Sequence, residues 1–146
     1  MGSKTDAQVM QPAADVLAEF GIEYEIYVIS AHRTPKLAAE FASGAADAGF
    51  EVIIAGAGGA AHLAGVIASL TPLPVIGVPV KSQALNGMDS LLSIVQMPSG
   101  VPVAAVAIDG AKNAGILAAQ IIGISDLDIR QKVIEYKERL AAQVGE

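Results

Sequence analysis

Short apolar runs rich in valine and isoleucine recur along this chain, at residues 24–29, 52–55, 75–80 and 103–108, each bounded by Gly, Pro or Ser. Each is too short for a good helix and suits a buried strand. Between them lie stretches with helical spacing, at 7–20, 35–48, 62–70, 87–97 and 111–122. Near-continuous apolar strands joined by helical crossovers imply a parallel sheet covered on both faces. The expected fold is an α/β three-layer sandwich, formed by one domain over residues 1–146.

Two ends of the pattern stand out. From Asp126 onward, Ile129, Val133, Tyr136, Leu140 and Val144 share one stripe, which predicts an amphipathic C-terminal helix over 126–146. No strand follows it, so its stripe must dock on its own layer or on a neighbouring subunit. At the other end, Met1-Gly2-Ser3-Lys4-Thr5-Asp6 reads as a loop entering a helix. Such a loop normally follows a strand, and no strand precedes this one. Either the sheet lacks its first strand and has four, or the chain starts inside it.

Composition narrows the function. Nine Lys and Arg against 15 Asp and Glu leave a net charge of -6, which disfavours nucleic acid held through a broad basic field. Gly and Pro interrupt the apolar stretches before any reaches the roughly 20 residues needed to cross a bilayer. Without a signal-peptide pattern, the cytoplasm is the default expectation. Only 4% of residues are aromatic, so elements must pack through small side chains. A mean hydropathy of +0.51 is high for a lone small domain and points to apolar surface covered by other subunits.

In open parallel sheets, ligands bind beyond the carboxyl ends of the strands. Ser30-Ala31-His32-Arg33-Thr34-Pro35 lies directly after an expected strand, with Pro35 suited to a first helical turn. Arg33 is the only arginine before residue 130. Its planar fork of donors matches phosphate, and a helix N-terminus beside it adds N–H groups. The alternative is a surface pair with Asp6 or Glu40. His32 titrates near neutral pH and is the natural proton carrier, unless it is a structural loop histidine. His62, at another strand-to-helix junction, ranks second. Ala55-Gly56-Ala57-Gly58-Gly59-Ala60-Ala61-His62 is a glycine-rich loop through which backbone can approach a ligand. It matches neither a dinucleotide fingerprint nor a P-loop. Ser3 and Asp6 stand at helix-capping spacing; alternatively, Asp6 accepts from ribose hydroxyls while Ser3 donates to phosphate. With no cysteine and no paired histidines at ligand spacing, a metal site is not expected.

Taken in order, Gly2-Ser3-Lys4-Thr5-Asp6, Ser30-Ala31-His32-Arg33-Thr34-Pro35, the glycine-rich loop through Leu63, and Asp89-Ser90-Leu91-Leu92-Ser93-Ile94-Val95-Gln96-Met97-Pro98 resemble the signature blocks of the bacterial (class I) 5-(carboxyamino)imidazole ribonucleotide mutases. The resemblance covers essentially the whole chain. It implies a flavodoxin-like domain assembled as a homo-octamer, without metal or nucleotide cofactor. The implied reaction, in de novo purine biosynthesis, moves a carboxylate from the exocyclic amine of a ribonucleotide to its adjacent ring carbon. Ser3, Asp6 and Arg33 would hold the ribose phosphate and His32 would act as acid and base. Gly2, Ser30, Ala31, Ala57, Gly58, His62 and Leu63 would line the pocket, with Gln96, Met97 and Pro98 as a further wall. The synthase that makes the substrate is a possible functional partner.

Two departures from the family pattern accompany the resemblance. The apolar strand usual before the Gly-Ser block is absent, and Ala64 stands where proline is usual, which is expected to loosen the helix start slightly. Two rival readings are an aminoimidazole ribonucleotide carboxylase using free carbon dioxide, and a non-catalytic nucleotide-binding assembly module.

Overall fold

A computed structural model describes residues 1–144. Ser3 opens a 3-10 turn over Lys4–Asp6, which runs into α1 (Ala7–Glu19). There follow α2 (Pro35–Gly44), β1 (Ile53–Gly58), α3 (Leu63–Ala68), β2 (Val75–Val80), α4 (Met88–Val95), β3 (Ala104–Ala105), α5 (Ala111–Ile122) and α6 (Leu127–Val144). The strands form one parallel sheet in the order β1-β2-β3, with Ile53 opposite Val75 and Ile76 opposite Ala104.

Alternation along the strands builds the layers. Ile53, Ala55, Ala57 and Val75 face one side and pack with Ala38 and Ala42 of α2, with Leu63, Ala64 and Ile67 of α3, and with Ile94 of α4. Ile76 and Val78 face the other, against Ala13 and Leu17 of α1 and Ala111, Ala114 and Ala118 of α5. Every residue of β2 is buried, as expected of a parallel strand covered on both faces. Burying an aliphatic side chain such as Ile76 contributes about 1.5–3 kcal/mol. The expected packing through small side chains is clearest between α1 and α5: a Cβ at Gly115 would lie 2.4 Å from Val16 Cγ1 and 2.9 Å from the Ala13 carbonyl.

The C-terminal helix docks on its own chain. Ile129, Val133 and Tyr136 are buried against Val16, Phe20 and Ala119, with the Phe20 and Tyr136 rings edge to face at 5.5 Å. The stripe is buried only in its first half, since Leu140 and Val144 are exposed. Lys132 Nζ donates to the Phe20 carbonyl at 2.8 Å, at the end of α1.

Two expected strands are corrected. Residues 24–29 are extended but belong to no ladder, because an open slot separates them from β1 and a strand exists only through its partners. Tyr24, Ile26, Tyr27 and Val28 are exposed as a result. Of 103–108, only Ala104 and Ala105 pair with β2. The cause lies in β2: Pro79 has no N–H to give to that side, so the ladder stops after Gly77. Beyond it the Val106 and Asp109 N–H groups reach the Gly77 and Pro79 carbonyls singly. The described sheet thus has three strands rather than four. The helices fall close to their expected places, α2 ending earlier at Gly44 and giving way to turns through Gly49 at φ +90°.

Candidate active site

Three loops converge beyond the carboxyl end of the sheet. The first holds Ser3 and Asp6 as a complete capping box: the Ser3 N–H donates to Asp6 Oδ2 at 3.0 Å, and Ser3 Oγ accepts from the Thr5 N–H at 3.3 Å. Asp6 is buried by this arrangement. The capping bonds are formed, and they set both side chains at the mouth of α1. Gly2 ties the loop to the sheet, its N–H donating to the Gly56 carbonyl at 2.9 Å.

The second loop is the turn 30–34. Ser30 and Thr34 lock it, the Thr34 N–H donating to the Ser30 carbonyl at 2.9 Å and the Ser30 N–H to Thr34 Oγ1 at 3.0 Å. Thr34 then caps α2, with Pro35 in its first turn. Arg33 lies across the gap between the first two loops, Nε donating to Ser30 Oγ at 3.3 Å and Nη2 to the Gly2 carbonyl at 3.3 Å. The surface pairs with Asp6 or Glu40 are not formed, and the ion pair among the described residues is Arg139 with Glu19. The exposed guanidinium keeps donors for an anion.

The third loop runs from Gly58 to His62. Gly59 turns at φ +67°, in the left-handed region that glycine occupies freely, and a Cβ at Gly58 would lie 3.3 Å from the Val80 carbonyl. His62 caps α3 and faces the second loop. Its Nδ1 lies 2.8 Å from His32 Nε2, with the rings edge to face. At that distance one imidazole donates and the other accepts, so each fixes the tautomer of its neighbour.

Of the expected lining residues, Gly2 and Ser30 meet Arg33, and His62 meets His32, while Gly58 lies against Val80. Ala31 packs partly against the core, and Ala57 and Leu63 are buried within it, so their side chains support the loops from below. Ala64, the departure from the family pattern, is fully buried at the second position of α3. Met97 covers the same helix, close enough that a Cβ at Gly65 would meet its sulfur at 2.9 Å.

Sequence reasoning did not single out Ser90. Fully buried in α4, its hydroxyl donates to the Val80 carbonyl at 2.6 Å and accepts from the Gly59 N–H at 2.8 Å. It thereby joins the end of β2 to the glycine turn. The signals in the sequence were its place in the Asp89–Pro98 block and a serine within an apolar helical stretch. Beside it, the Ser82 hydroxyl 2.6 Å from Asp89 Oδ1 is the main reason the Asp89 carboxyl stays below its usual range; desolvation opposes this and the Ser90 N–H adds to it. No cluster of three or more His, Cys, Asp or Glu among the described residues is placed to hold a metal ion. Nor is any described helix long and apolar enough to cross a membrane.

A parallel sheet with an imidazole pair and an exposed guanidinium beyond its carboxyl end has the layout of an α/β enzyme. The chain belongs to the AIR carboxylase family, whose model matches residues 1–143. It is 64% identical over 146 residues to the N5-carboxyaminoimidazole ribonucleotide mutase of Thermotoga maritima, spanning 100% of this chain and 85% of that one. To the enzyme of the same name from Pyrococcus horikoshii it is 63% identical, with 100% and 82% covered. The crystal structure of Treponema denticola PurE superposes with a TM-score of 0.87 at 31% identity, covering 99% of this chain and 90% of that chain. The flavodoxin-like fold expected from the sequence stands on that likeness.

Proposed function

We propose that this chain is an isomerase of de novo purine biosynthesis, converting 5-(carboxyamino)imidazole ribonucleotide to 4-carboxy-5-aminoimidazole ribonucleotide within one domain over residues 1–146. The observation that carries the reading is the placement of His32, hydrogen-bonded to His62, one residue from an arginine with no carboxylate partner among the described residues. Arg33, Ser3 and the N–H groups at the mouth of α1 receive the phosphate, and Asp6 accepts from the ribose. The heterocycle then lies against His32.

The chemistry needs one proton carrier used twice. The bond between the exocyclic nitrogen and the carboxylate breaks, releasing carbon dioxide, and His32 gives its proton to that nitrogen. The adjacent ring carbon then attacks the carbon dioxide, forming the new C–C bond. His32 takes the proton from that carbon, which restores the aromatic ring and the starting state of the enzyme. Carbon dioxide must not escape between the two halves, so a closed, water-poor site is required. The glycine turn held by Ser90 and the Gln96–Pro98 segment supply its walls.

Exposed Leu85, Met88, Leu92 and Val95 on and beside α4 form an apolar surface suited to subunit contacts, in keeping with a homo-octamer acting in the cytoplasm. Functional coupling to the synthase that makes the labile substrate follows from the same pathway position.

The family's own description favours one second reading, carboxylation of free aminoimidazole ribonucleotide. Presenting both substrates to one preparation separates them. Turnover of the carboxyamino compound without added bicarbonate is expected; rapid use of aminoimidazole ribonucleotide with bicarbonate, and none of the carboxyamino compound, would reverse the assignment.

A further inference from the structure

The turn ahead of α4 takes no part in the proposed chemistry. Residues Leu85 to Met88 close it, the Met88 N–H donating to the Leu85 carbonyl at 3.0 Å. Both central residues are left-handed, Asn86 at φ 53° and Gly87 at φ 89°, ψ -1°. Those angles belong to a type I′ turn, for which Asn-Gly is the favoured pair. No other residue fits at Gly87. Besides its left-handed backbone, a Cβ there would lie 2.7 Å from Ile108 Cγ2 and 3.2 Å from Lys81 Cα. The turn and its packing therefore call for an Asn-Gly pair, with Asn86 exposed and Gly87 buried.

That pair carries a reactivity of its own. The backbone nitrogen after an asparagine can attack the carboxamide carbon, and glycine, lacking a Cβ, obstructs the approach least. Two features of this turn restrain the step. In a type I′ turn ψ at the first central residue is about +30°, far from the angle a five-membered ring needs, so the turn must open before the ring can close. The attacking nitrogen must also lose its proton, and here the Gly87 N–H donates to Ser82 Oγ at 3.3 Å. Ser82 is itself held, its hydroxyl donating to Asp89 Oδ1 at 2.6 Å.

We propose that Asn86 is a site of spontaneous succinimide modification, gated by the Ser82 hydroxyl. The Gly87 nitrogen bonds to Asn86 Cγ and the carboxamide C–N bond breaks. The displaced nitrogen takes up, through solvent, the proton that Gly87 gave up and leaves as ammonia. Water then adds to one of the two imide carbonyls and opens the ring. The product is aspartate, or isoaspartate where the chain is rerouted through Cγ, and nothing is oxidised or reduced. Isoaspartate puts an extra backbone carbon ahead of Gly87, where Ile108 and Lys81 leave no room, and so displaces the start of α4. Ser90, in the first turn of that helix, holds the Val80 carbonyl and the Gly59 N–H. A change begun at an exposed turn thereby reaches the glycine turn that leads to His62. The site is read without measuring turnover, so its failure leaves the proposed reaction standing.

The test ages the whole chain in heavy-oxygen water at mildly alkaline pH and follows each asparagine by peptide mass spectrometry. Asn113, the one other asparagine, is an internal control: it lies in the first turn of α5, and the Ala114 N–H after it donates to the Gly110 carbonyl at 3.2 Å. Asn86 is expected to lose ammonia and gain one heavy oxygen, chiefly as isoaspartate, about tenfold or more faster than Asn113, yet more slowly than a free peptide of residues 84–89, because the turn must first open. Ser82→Ala should speed the reaction several-fold toward the peptide rate. Should that variant fail to fold, Asp89→Ala makes the same test by freeing the Ser82 hydroxyl from the carboxylate that orients it. All rates are compared at one protein concentration, since a subunit contact over Leu85 and Met88 would slow the same opening. In the isoaspartyl chain, hydrogen exchange at the Gly59 amide should quicken, whereas Asn86→Asp, which adds the charge without rerouting the chain, should leave it unchanged. Equal rates at Asn86 and Asn113, or an unchanged rate in a folded variant without the Ser82 restraint, overturn the proposal. A Gly59 amide exchanging at the native rate in the isoaspartyl chain overturns its reach to the glycine turn.

Discussion

His32 Nε2 and His62 Nδ1 lie 2.8 Å apart although 30 positions separate the two residues in the chain. The contact bridges two loops that only the parallel sheet brings together, and it gives the proposed proton carrier a fixed orientation. His62→Phe removes one hydrogen bond and keeps a ring of similar size. A bond of about 1 kcal/mol corresponds to roughly a fivefold fall in kcat, with KM little changed. An effect on KM alone would assign His62 to substrate binding.

Loss of the proton carrier itself costs far more. General acid–base catalysis contributes about 10²–10⁴-fold, so His32→Asn should reduce single-turnover conversion by at least that factor while ribonucleotide binding, followed by calorimetry, persists. Conversion at the wild-type rate would remove His32 from the mechanism.

Arg33 bridges Ser30 Oγ and the Gly2 carbonyl through separate nitrogens, which a lysine cannot do. Arg33→Lys keeps the charge and loses the fork. KM should rise about tenfold or more, with a smaller change in kcat. An unchanged KM would place the phosphate elsewhere.

Ser90 satisfies a buried carbonyl and a half-buried N–H with one hydroxyl. Ser90→Ala leaves both without that partner, at a cost of about 1–3 kcal/mol for each group left unsatisfied. A lower unfolding midpoint in urea is expected together with reduced kcat, because the glycine turn loses its tether. Wild-type stability would show that the turn holds itself.

Asp89 supplies a pH test. Its folded pKa lies below the ordinary 3.8 chiefly through the Ser82 hydroxyl. A depressed carboxyl pKa adds stability that is present above the unfolded value and is lost as pH falls through the folded one. Ser82→Ala should move the Asp89 carboxyl titration upward, read by carbon NMR, and shrink that acid-dependent increment. An unmoved titration would mean that Ser82 is not what holds the carboxylate.

Much of this was legible in the residues because short-range chemistry produced it. Pro35 after Thr34 marked the start of α2, and the Val75–Val80 run was a buried strand wherever it paired. Arg33 and His32 were adjacent in sequence and so adjacent in space. Pairing of residues 24–29 was not legible, since apolar β-branched residues show that a segment will extend but not whether a neighbour stands beside it. Nor was the short β3: the limit came from Pro79, a residue of the other strand.

The order of residues alone determined the alternation of strand and helix, the small-residue packing and which side chains are proposed for acid–base and anion-binding roles, because these follow from local backbone preference and side-chain type. Tertiary structure decided that His62 partners His32, that Ser90 carries the glycine turn and that α6 docks on its own chain. Each of those depends on hydrogen bonds or burial between segments far apart in the chain, whose meeting is a property of the assembled layers and not of any one stretch.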